Sequence, residues 1–190
     1  GPDVHDKTCR KKYPNGDIYI SGNAEISLPK AILMNDIPLM GVLHDMVDVN
    51  ILPSPFLTDV INISQNQEMI HWETARGCKF KCNFCAHTDL QDGGVSYFNL
   101  LRIKKELDLF KEKNVQKINV LDPIFNYSPK RHTHIDILEY AIEIGLTSLL
   151  CFQVRLEILN AKELGDKFLK LCKQLNVHLE FGIQTPNIEE

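Results

Sequence analysis

The sequence predicts an α/β protein built on a parallel sheet. Two observations carry this prediction. From residue 69 onward, short apolar strand-like runs alternate with amphipathic helix-like runs, and 190 residues with 44% hydrophobic side chains can bury a core. A net charge of −4 gives no electrostatic reason to expect nucleic acid or an anionic membrane as a partner. No apolar run has the length of a membrane span.

The start of the chain predicts one strand and one helix. Residues 17–20 predict a short strand, residues 21–23 a turn, and residues 24–35 a helix that Pro29 weakens.

A proline-rich connector follows. Residues 51–58 predict an extended segment, because Pro53 and Pro55 push the residues before them away from the helical region. Residues 60–63 predict a further short strand.

The alternation that follows predicts a sheet with crossover helices. The strands are expected at residues 69–74, 115–121, 149–154 and 177–183, and the helices at residues 99–113, 134–144 and 161–175. An apolar stripe runs along the first of these helices, formed by Leu100, Ile103, Leu107 and Phe110. Asn99 is the expected N-cap of that helix, and Gly145 is the expected end of the second. Strands joined by helices favour parallel pairing through right-handed crossovers.

Three of the six cysteines, Cys78, Cys82 and Cys85, fall within eight residues at the spacing C-x3-C-x2-C. They follow the strand at 69–74, at the carboxyl edge where α/β sheets build their sites. Three soft sulfur ligands suit an iron–sulfur cluster or zinc. A cubane cluster on three cysteines leaves one iron open, whereas structural zinc takes four protein ligands. Gly77 and the lysines between the cysteines favour a loop.

The other cysteines leave one alternative open. A zinc knuckle completed by His87 or Cys9 would use the same three thiols. Cys151 and Cys172 lie in apolar runs and predict small buried side chains rather than ligands or disulfides. A reducing cytoplasm is therefore the expected compartment.

The cysteine run resembles a known motif. Residues 73–78, Glu-Thr-Ala-Arg-Gly-Cys, together with the C-x3-C-x2-C spacing and Phe84 before the third cysteine, resemble the cluster motif of the radical S-adenosylmethionine (SAM) superfamily. The lead-in resembles the subgroup that carries a cobalamin-binding domain ahead of its barrel. The resemblance implies a partial (β/α)6 barrel over 67–190, truncated after about four βα units. It also implies a remnant of a cobalamin-binding α/β domain, or an N-terminal extension, at 1–35 and a proline-rich linker at 36–66.

The resemblance implies a reaction and its cofactors. A [4Fe–4S] cluster on Cys78, Cys82 and Cys85 would bind SAM at its open iron. Reductive cleavage of SAM would give methionine and a 5′-deoxyadenosyl radical that abstracts a hydrogen atom. Cobalamin is a further candidate cofactor, for methylation or rearrangement of an unactivated carbon. The implied partners are a small-molecule or peptide substrate, an electron donor such as flavodoxin or ferredoxin, and a chain that completes the barrel.

The resemblance also implies four SAM contacts, at Asp122, Gln153, Arg155 and Gln184. Asp122 follows the second strand, where the family often has a Gly-Gly-Glu-like motif for the methionyl amine, and a carboxylate suits an ammonium group. Arg155 would pair with the SAM carboxylate as a bidentate donor. The alternatives are a cap or turn role for Asp122 and a surface ion pair between Arg155 and Glu157.

Two other functions stay open. A cobalamin-independent radical SAM enzyme that modifies a peptide predicts no corrin binding. A non-catalytic zinc or iron–sulfur module predicts bound zinc, or a cluster that does not respond to SAM.

Overall fold

The chain divides into two compact units. The computed structural model describes residues 9–16, 18–22, 24–33, 42–45, 47–85, 94–127, 133–159 and 162–183. The first unit comprises Gly1–Leu52 with Gly77–Ser96, and the second comprises Pro53–Arg76 with Tyr97–Glu190. The break after Leu52 falls inside the segment expected to be a linker.

The first unit contains a small βαβ arrangement. Its regular elements are α1 (Cys9–Lys12), β1 (Tyr19–Gly22), α2 (Ala24–Leu33), β2 (Val42–Asp45) and a 3₁₀ turn (Val49–Ile51). The two strands pair in parallel along their full length, with α2 between them in the chain. The helix prediction is confirmed and Pro29 lies within α2. The predicted strand at 17–20 lies two residues too early, and the sequence did not predict β2.

The second unit is built on a four-stranded parallel sheet. Its strands are β3 (Met69–Trp72), β6 (Lys117–Val120), β7 (Leu149–Val154) and β8 (Val177–Phe181). They lie side by side in the order β3-β6-β7-β8, and every pairing is parallel. The predicted α/β class with a parallel sheet is therefore confirmed.

Two short strands, β4 (Ala75–Arg76) and β5 (Ser96–Tyr97), flank the segment that holds the three clustered cysteines. The N–H of Phe98 donates to the carbonyl of Thr74 at 3.1 Å. This bond closes the base of the loop between β3 and the next helix.

The helices of the second unit follow their predicted positions. They are α3 (Leu100–Glu112), α4 (Thr133–Glu143), the short α5 (Leu156–Leu159) and α6 (Lys162–Cys172). Asn99 caps α3 as predicted, since its Oδ1 accepts from the N–H of Leu101 at 2.8 Å. Gly145 follows α4 with φ of 65°, a conformation that glycine adopts without strain. The sequence did not predict α5.

One face of the sheet is buried under the helices. Its side chains are Ile70, Trp72, Ile118, Val120, Leu150, Phe152 and Val154. Phe110 of α3 meets Trp72 edge-on, with ring centroids 5.6 Å apart. Phe168 of α6 lies 6.2 Å from Phe152. These aromatic contacts fix α3 and α6 on the same side of the sheet.

The other face carries polar side chains, because side chains alternate along a strand. His71 of β3 and Gln153 of β7 are exposed there, and Asn119 of β6 is half-buried. His71 and Asn119 are register partners, and the side-chain amide nitrogen of Asn119 lies 3.2 Å from Nδ1 of His71. This face is therefore the one that offers hydrogen-bonding groups to a ligand.

The connector before the sheet is folded rather than extended. The carbonyl of Ser54 accepts from the N–H of Thr58 at 3.1 Å, and the carbonyl of Pro55 accepts from the N–H of Ile61 at 2.9 Å. Asp59 adopts φ of 56° and turns the chain. The predictions of an extended segment at 51–58 and a strand at 60–63 are therefore wrong, because local turn bonds satisfy the backbone.

Within the described ranges, none of the helices combines the length and the apolar character that crossing a membrane requires.

Candidate functional site

The cysteine run begins where β3 ends, and an ion pair shapes that junction. Arg76 donates twice to Glu73, from Nε to Oε1 at 2.9 Å and from Nη2 to Oε2 at 2.7 Å. The Arg76 guanidinium also lies 5.9 Å from the centroid of the Phe98 ring. Gly77 follows with φ of 102°, in the region that favours glycine. The residues that lead into Cys78 thus form a tight, specifically bonded turn.

Asp122 ties the end of β6 to the same turn. Its carboxylate accepts from the N–H groups of Thr74 at 2.8 Å and Ala75 at 3.0 Å, and from the Thr74 hydroxyl. Asp122 is only 3% exposed. Burial raises the pKa of this carboxyl from 3.8 to about 6, while the three hydrogen bonds act in the opposite direction.

Both carboxylate oxygens of Asp122 therefore bond residues that precede the cysteines in the chain. This is a structural role, but a long-range one rather than the local cap or turn role that was the alternative. The contact between Asp122 and SAM stays a prediction.

The three clustered cysteines lie on a loop, as predicted. No helix or strand is assigned between Gly77 and Cys85, and the N–H of Cys85 donates to the carbonyl of Cys82 at 3.0 Å. Cys78, Cys82 and Cys85 are all half-buried, and none of the three forms a disulfide.

The donor set fits an iron–sulfur cluster by its chemistry. Three cysteine thiols within eight residues supply soft ligands, and their partial exposure leaves them accessible to an incoming group. Among the described residues, no three His, Cys, Asp or Glu side chains are grouped so that they could hold a metal ion. The assignment of Cys78, Cys82 and Cys85 as ligands therefore rests on residue type and spacing.

At the carboxyl end of β7, Asn126 brackets Arg155. The side-chain amide of Asn126 donates to the Arg155 carbonyl and accepts from the Arg155 N–H, each at 3.0 Å. One residue earlier, the N–H of Phe125 donates to the carbonyl of Gln153 at 2.8 Å. The loop after β6 therefore continues the hydrogen bonding along β7 past the end of β6.

The predicted SAM contacts that the structure describes lie at the carboxyl ends of two neighbouring strands. Gln153 is exposed on the polar face of β7. The Arg155 guanidinium pairs with Glu157, from Nε to Oε2 at 3.2 Å and from Nη2 to Oε1, and this hydrogen bonding lowers the pKa of Glu157. In this structure Arg155 thus forms the ion pair with Glu157 that was the alternative to a SAM contact. Gln184 lies outside the described residues.

The remaining cysteines behave as predicted. Cys151 and Cys172 are buried, and burial raises the pKa of both thiols, that of Cys172 to about 12. Both are therefore small apolar side chains rather than ligands. Of the two alternative zinc ligands, His87 lies outside the described residues and Cys9 is the first residue of α1.

A buried carboxylate that the sequence analysis missed joins α3 to β3. Glu106 is 0% exposed and accepts from Nε1 of Trp72 at 2.7 Å and from Nε of Arg102 at 2.9 Å. Its position on the apolar stripe, three residues after Ile103, was the signal that could have revealed it, because a charged side chain there must find partners.

The fold defines a class of protein. This chain shares its fold with solved cobalamin-dependent radical SAM enzymes, the subgroup that the cysteine run resembles. The chain is similar to the cobalamin-dependent SAM radical enzyme OxsB with aqua-cobalamin bound, at a TM-score of 0.70 and 19% identity, over 99% of this chain and 30% of that one. With SAM also bound, OxsB matches at a TM-score of 0.68 and 19% identity, over 97% of this chain and 30% of that one.

Two methyltransferases are also similar. The radical SAM methyltransferase TsrM from Kitasatospora setae, solved with tryptophan substrate and the SAM analogue aza-SAM, matches at a TM-score of 0.53 and 13% identity, over 66% of this chain and 23% of that one. A 2-(S-pantetheinyl)-carbapenam-3-carboxylate methyltransferase from Streptantibioticus cattleyicolor is 29% identical in an alignment of 85 residues, which covers 41% of this chain and 12% of that protein. No family model matches the chain. The chain thus spans a third or less of the length of each of these relatives.

Proposed function

We propose that this chain is the core of a radical SAM enzyme, with Cys78, Cys82 and Cys85 as the ligands of a [4Fe–4S] cluster. The observation that supports this most is the position of the cysteine run in the fold. Half-buried cysteines at C-x3-C-x2-C spacing follow the first strand of a parallel sheet, in a fold shared with solved radical SAM enzymes. When bound, the cluster and SAM would supply a 5′-deoxyadenosyl radical for hydrogen abstraction.

The chain itself supplies placement. The Glu73–Arg76 ion pair and the bonds from Asp122 to Thr74 and Ala75 hold the turn that enters the cysteine loop. A loop fixed at its entry costs less entropy to order around a bound group.

Gln153 and Arg155 are proposed as SAM contacts on β7, with Gln184 further along the chain. Gln153 already presents its amide on the polar face. Arg155 would exchange its exposed partner Glu157 for the SAM carboxylate. An exposed ion pair holds its partners weakly, and a guanidinium binds any carboxylate with the same fork geometry.

For Asp122, two roles compete. An ammonium group of SAM would have to share a carboxylate that three donors already occupy. We therefore propose the SAM amine contact at Asp122 only as an addition to its main-chain bonds.

Cobalamin-dependent methyl transfer to, or rearrangement at, an unactivated carbon is the proposed reaction class. The likeness to OxsB and to two methyltransferases supports it. The proposed setting is the cytoplasm, with a small-molecule or peptide substrate, a flavodoxin or ferredoxin as electron donor, and further chain or a partner that completes the barrel.

The test is reductive SAM cleavage. Protein reconstituted anaerobically with iron and sulfide is incubated with SAM and dithionite, and mass spectrometry follows methionine and 5′-deoxyadenosine. We expect both products in equal amounts from the native protein and from Cys172→Ala, whose thiol is buried at the end of α6, and none from Cys82→Ala. A reconstituted protein that binds zinc, or that leaves SAM intact, would contradict the proposal and favour a non-catalytic metal module.

A further inference from the structure

We propose that Asn126 is a positioning residue for SAM binding, which it serves by fixing the end of β7 where Gln153 and Arg155 lie. The inference rests on the proposed function, since these two residues are the SAM contacts assigned to β7. The hydrogen bonds of Asn126 are to the main-chain N–H and carbonyl of Arg155.

The strand pairings on both sides of β7 end before Arg155. The β6–β7 pairing ends at Asn119 and Cys151, whereas β7 runs on to Val154. On its other side, the β7–β8 pairing ends with Val154 and Phe181. Arg155 thus lies beyond the last ladder pair on both sides.

The loop after β6 supplies hydrogen bonds to β7 beyond the point where the β6–β7 pairing ends. The Phe125 N–H donates to the Gln153 carbonyl at 2.8 Å, and the Asn126 amide bonds both the N–H and the carbonyl of Arg155 at 3.0 Å. The stacking of Phe125 on Phe152, with centroids 4.3 Å apart and ring planes 23° apart, anchors this loop on β7. The main chain of Gln153 and the main chain of Arg155 are therefore each held by hydrogen bonds from this loop.

The chemistry explains why the residue is asparagine. A carboxamide carries a donor and an acceptor on one planar group, so it can pair with both the N–H and the carbonyl of a single residue. Because Asn126 is only 1% exposed, both the oxygen and the nitrogen of its side-chain amide must find hydrogen-bond partners inside the protein. A small displacement of a substrate-positioning residue has large effects on binding and rate.

The variants separate positioning from general stability. Asn126→Ala removes both bonds, and Asn126→Asp keeps the shape and the acceptor but loses the donor. Ser148→Ala is the matched control. Ser148 directly precedes β7, at the amino end of the strand, and is also buried. Its hydroxyl donates to the Val115 carbonyl. If Asn126→Ala fails to fold, Asn126→Asp carries the test.

Two readouts are needed. Amide hydrogen exchange in the cofactor-free protein should be faster at Arg155 in Asn126→Ala and close to native in Asn126→Asp and Ser148→Ala. In the reconstituted protein, the dissociation constant for SAM should rise about tenfold in both Asn126 variants, because hydrogen bonds to the main chain of a contact residue are lost. In Ser148→Ala it should stay within about twofold.

The outcomes distinguish this inference from the proposed function. If the native protein binds SAM and both Asn126 variants bind it with the same affinity, the positioning role alone is overturned. An equal loss of affinity in Ser148→Ala and the Asn126 variants would reduce Asn126 to general stability and would also overturn it. Native protein that does not bind SAM at all would overturn the proposed function, and the inference with it.

Discussion

At the scale of a single residue, Asp122 joins the end of β6 to the turn that leads into the cysteine run. Its carboxylate accepts from the N–H groups of Thr74 and Ala75, which precede it by 48 and 47 residues in the chain. Asp122 is also buried, so these bonds form inside the protein.

Asp122 should make stability depend on pH. Its pKa is about 6 in the folded protein, against 3.8 for a free carboxyl. Between these values the folded state holds a proton that the unfolded state has lost, so the free energy of unfolding falls as pH rises through this window and levels off above it. With about 1.36 kcal/mol for each pKa unit, the decrease is about 3 kcal/mol.

Urea unfolding of the apo protein between pH 4 and pH 7 measures this contribution. Asp122→Asn, which resembles the protonated carboxyl, should lose that part of the pH dependence and be the more stable protein at pH 7. The same pH dependence in the native protein and in the variant would assign the effect to another group.

Asn126 and Glu106 show why some site residues escape sequence analysis. An asparagine in a loop and a glutamate in a helix ordinarily indicate solvent-exposed side chains. The burial of Asn126 becomes visible only when β7 is in place, because Asn126 bonds the main chain at the end of that strand. The burial of Glu106 has one local signal, its place on the apolar stripe of α3, but its partner Trp72 lies on another element.

At the scale of elements, Glu106 and Arg102 hold α3 against β3. Arg102 has 18% of its side chain exposed and Glu106 has 1%, and the Arg102 guanidinium also lies 4.2 Å from the centroid of Phe98. Removal of one partner leaves a buried charge without its counter-ion, which is far more costly than loss of a surface pair.

Arg102→Ala should therefore lower the free energy of unfolding by about 3 kcal/mol. The control is Lys167→Ala, which removes an ion pair with Glu139 whose side chains are 50% and 46% exposed, and it should cost less than about 1 kcal/mol. Chemical denaturation measures both. Similar small losses in the two variants would show that the Glu106 pair does not hold α3.

The junction of α5 and α6 depends on a glycine. A Cβ at Gly165 of α6 would lie 2.0 Å from the carbonyl oxygen of Leu159, a main-chain atom that cannot rotate away. The two helices approach too closely at this point for any side chain.

Gly165→Ala should destabilise the protein by about 1–3 kcal/mol, as expected for overpacking of a buried contact. Gly94→Ala is the matched control, because a Cβ there meets nothing within 4 Å. Thermal unfolding should show a clear loss for the first variant and little change for the second. A Gly165→Ala protein as stable as the control would mean that α5 moves aside freely.

At the scale of the molecule, the sequence predicted the α/β class and the parallel sheet but not every element. Strand–helix alternation is a local pattern, so it located β7 at residues 149–154 and α3 to within a residue or two. The turns at residues 54–61 and the pairing of β1 with β2 depend on backbone hydrogen bonds, which the residue types there do not indicate. Cysteine spacing is local as well, which is why the run at 78–85 pointed to the class that the fold comparison supports.

We propose above all that Cys78, Cys82 and Cys85 hold a cluster with an iron open to SAM. The most direct measurement is electron paramagnetic resonance of the anaerobically reconstituted, dithionite-reduced protein, recorded with and without SAM beside an iron determination. We predict about four irons per chain and a reduced signal that SAM alters. Cys82→Ala should lose the signal, and Cys172→Ala should keep it. Zinc in place of iron, or a reduced signal that SAM leaves unchanged, would contradict the claim.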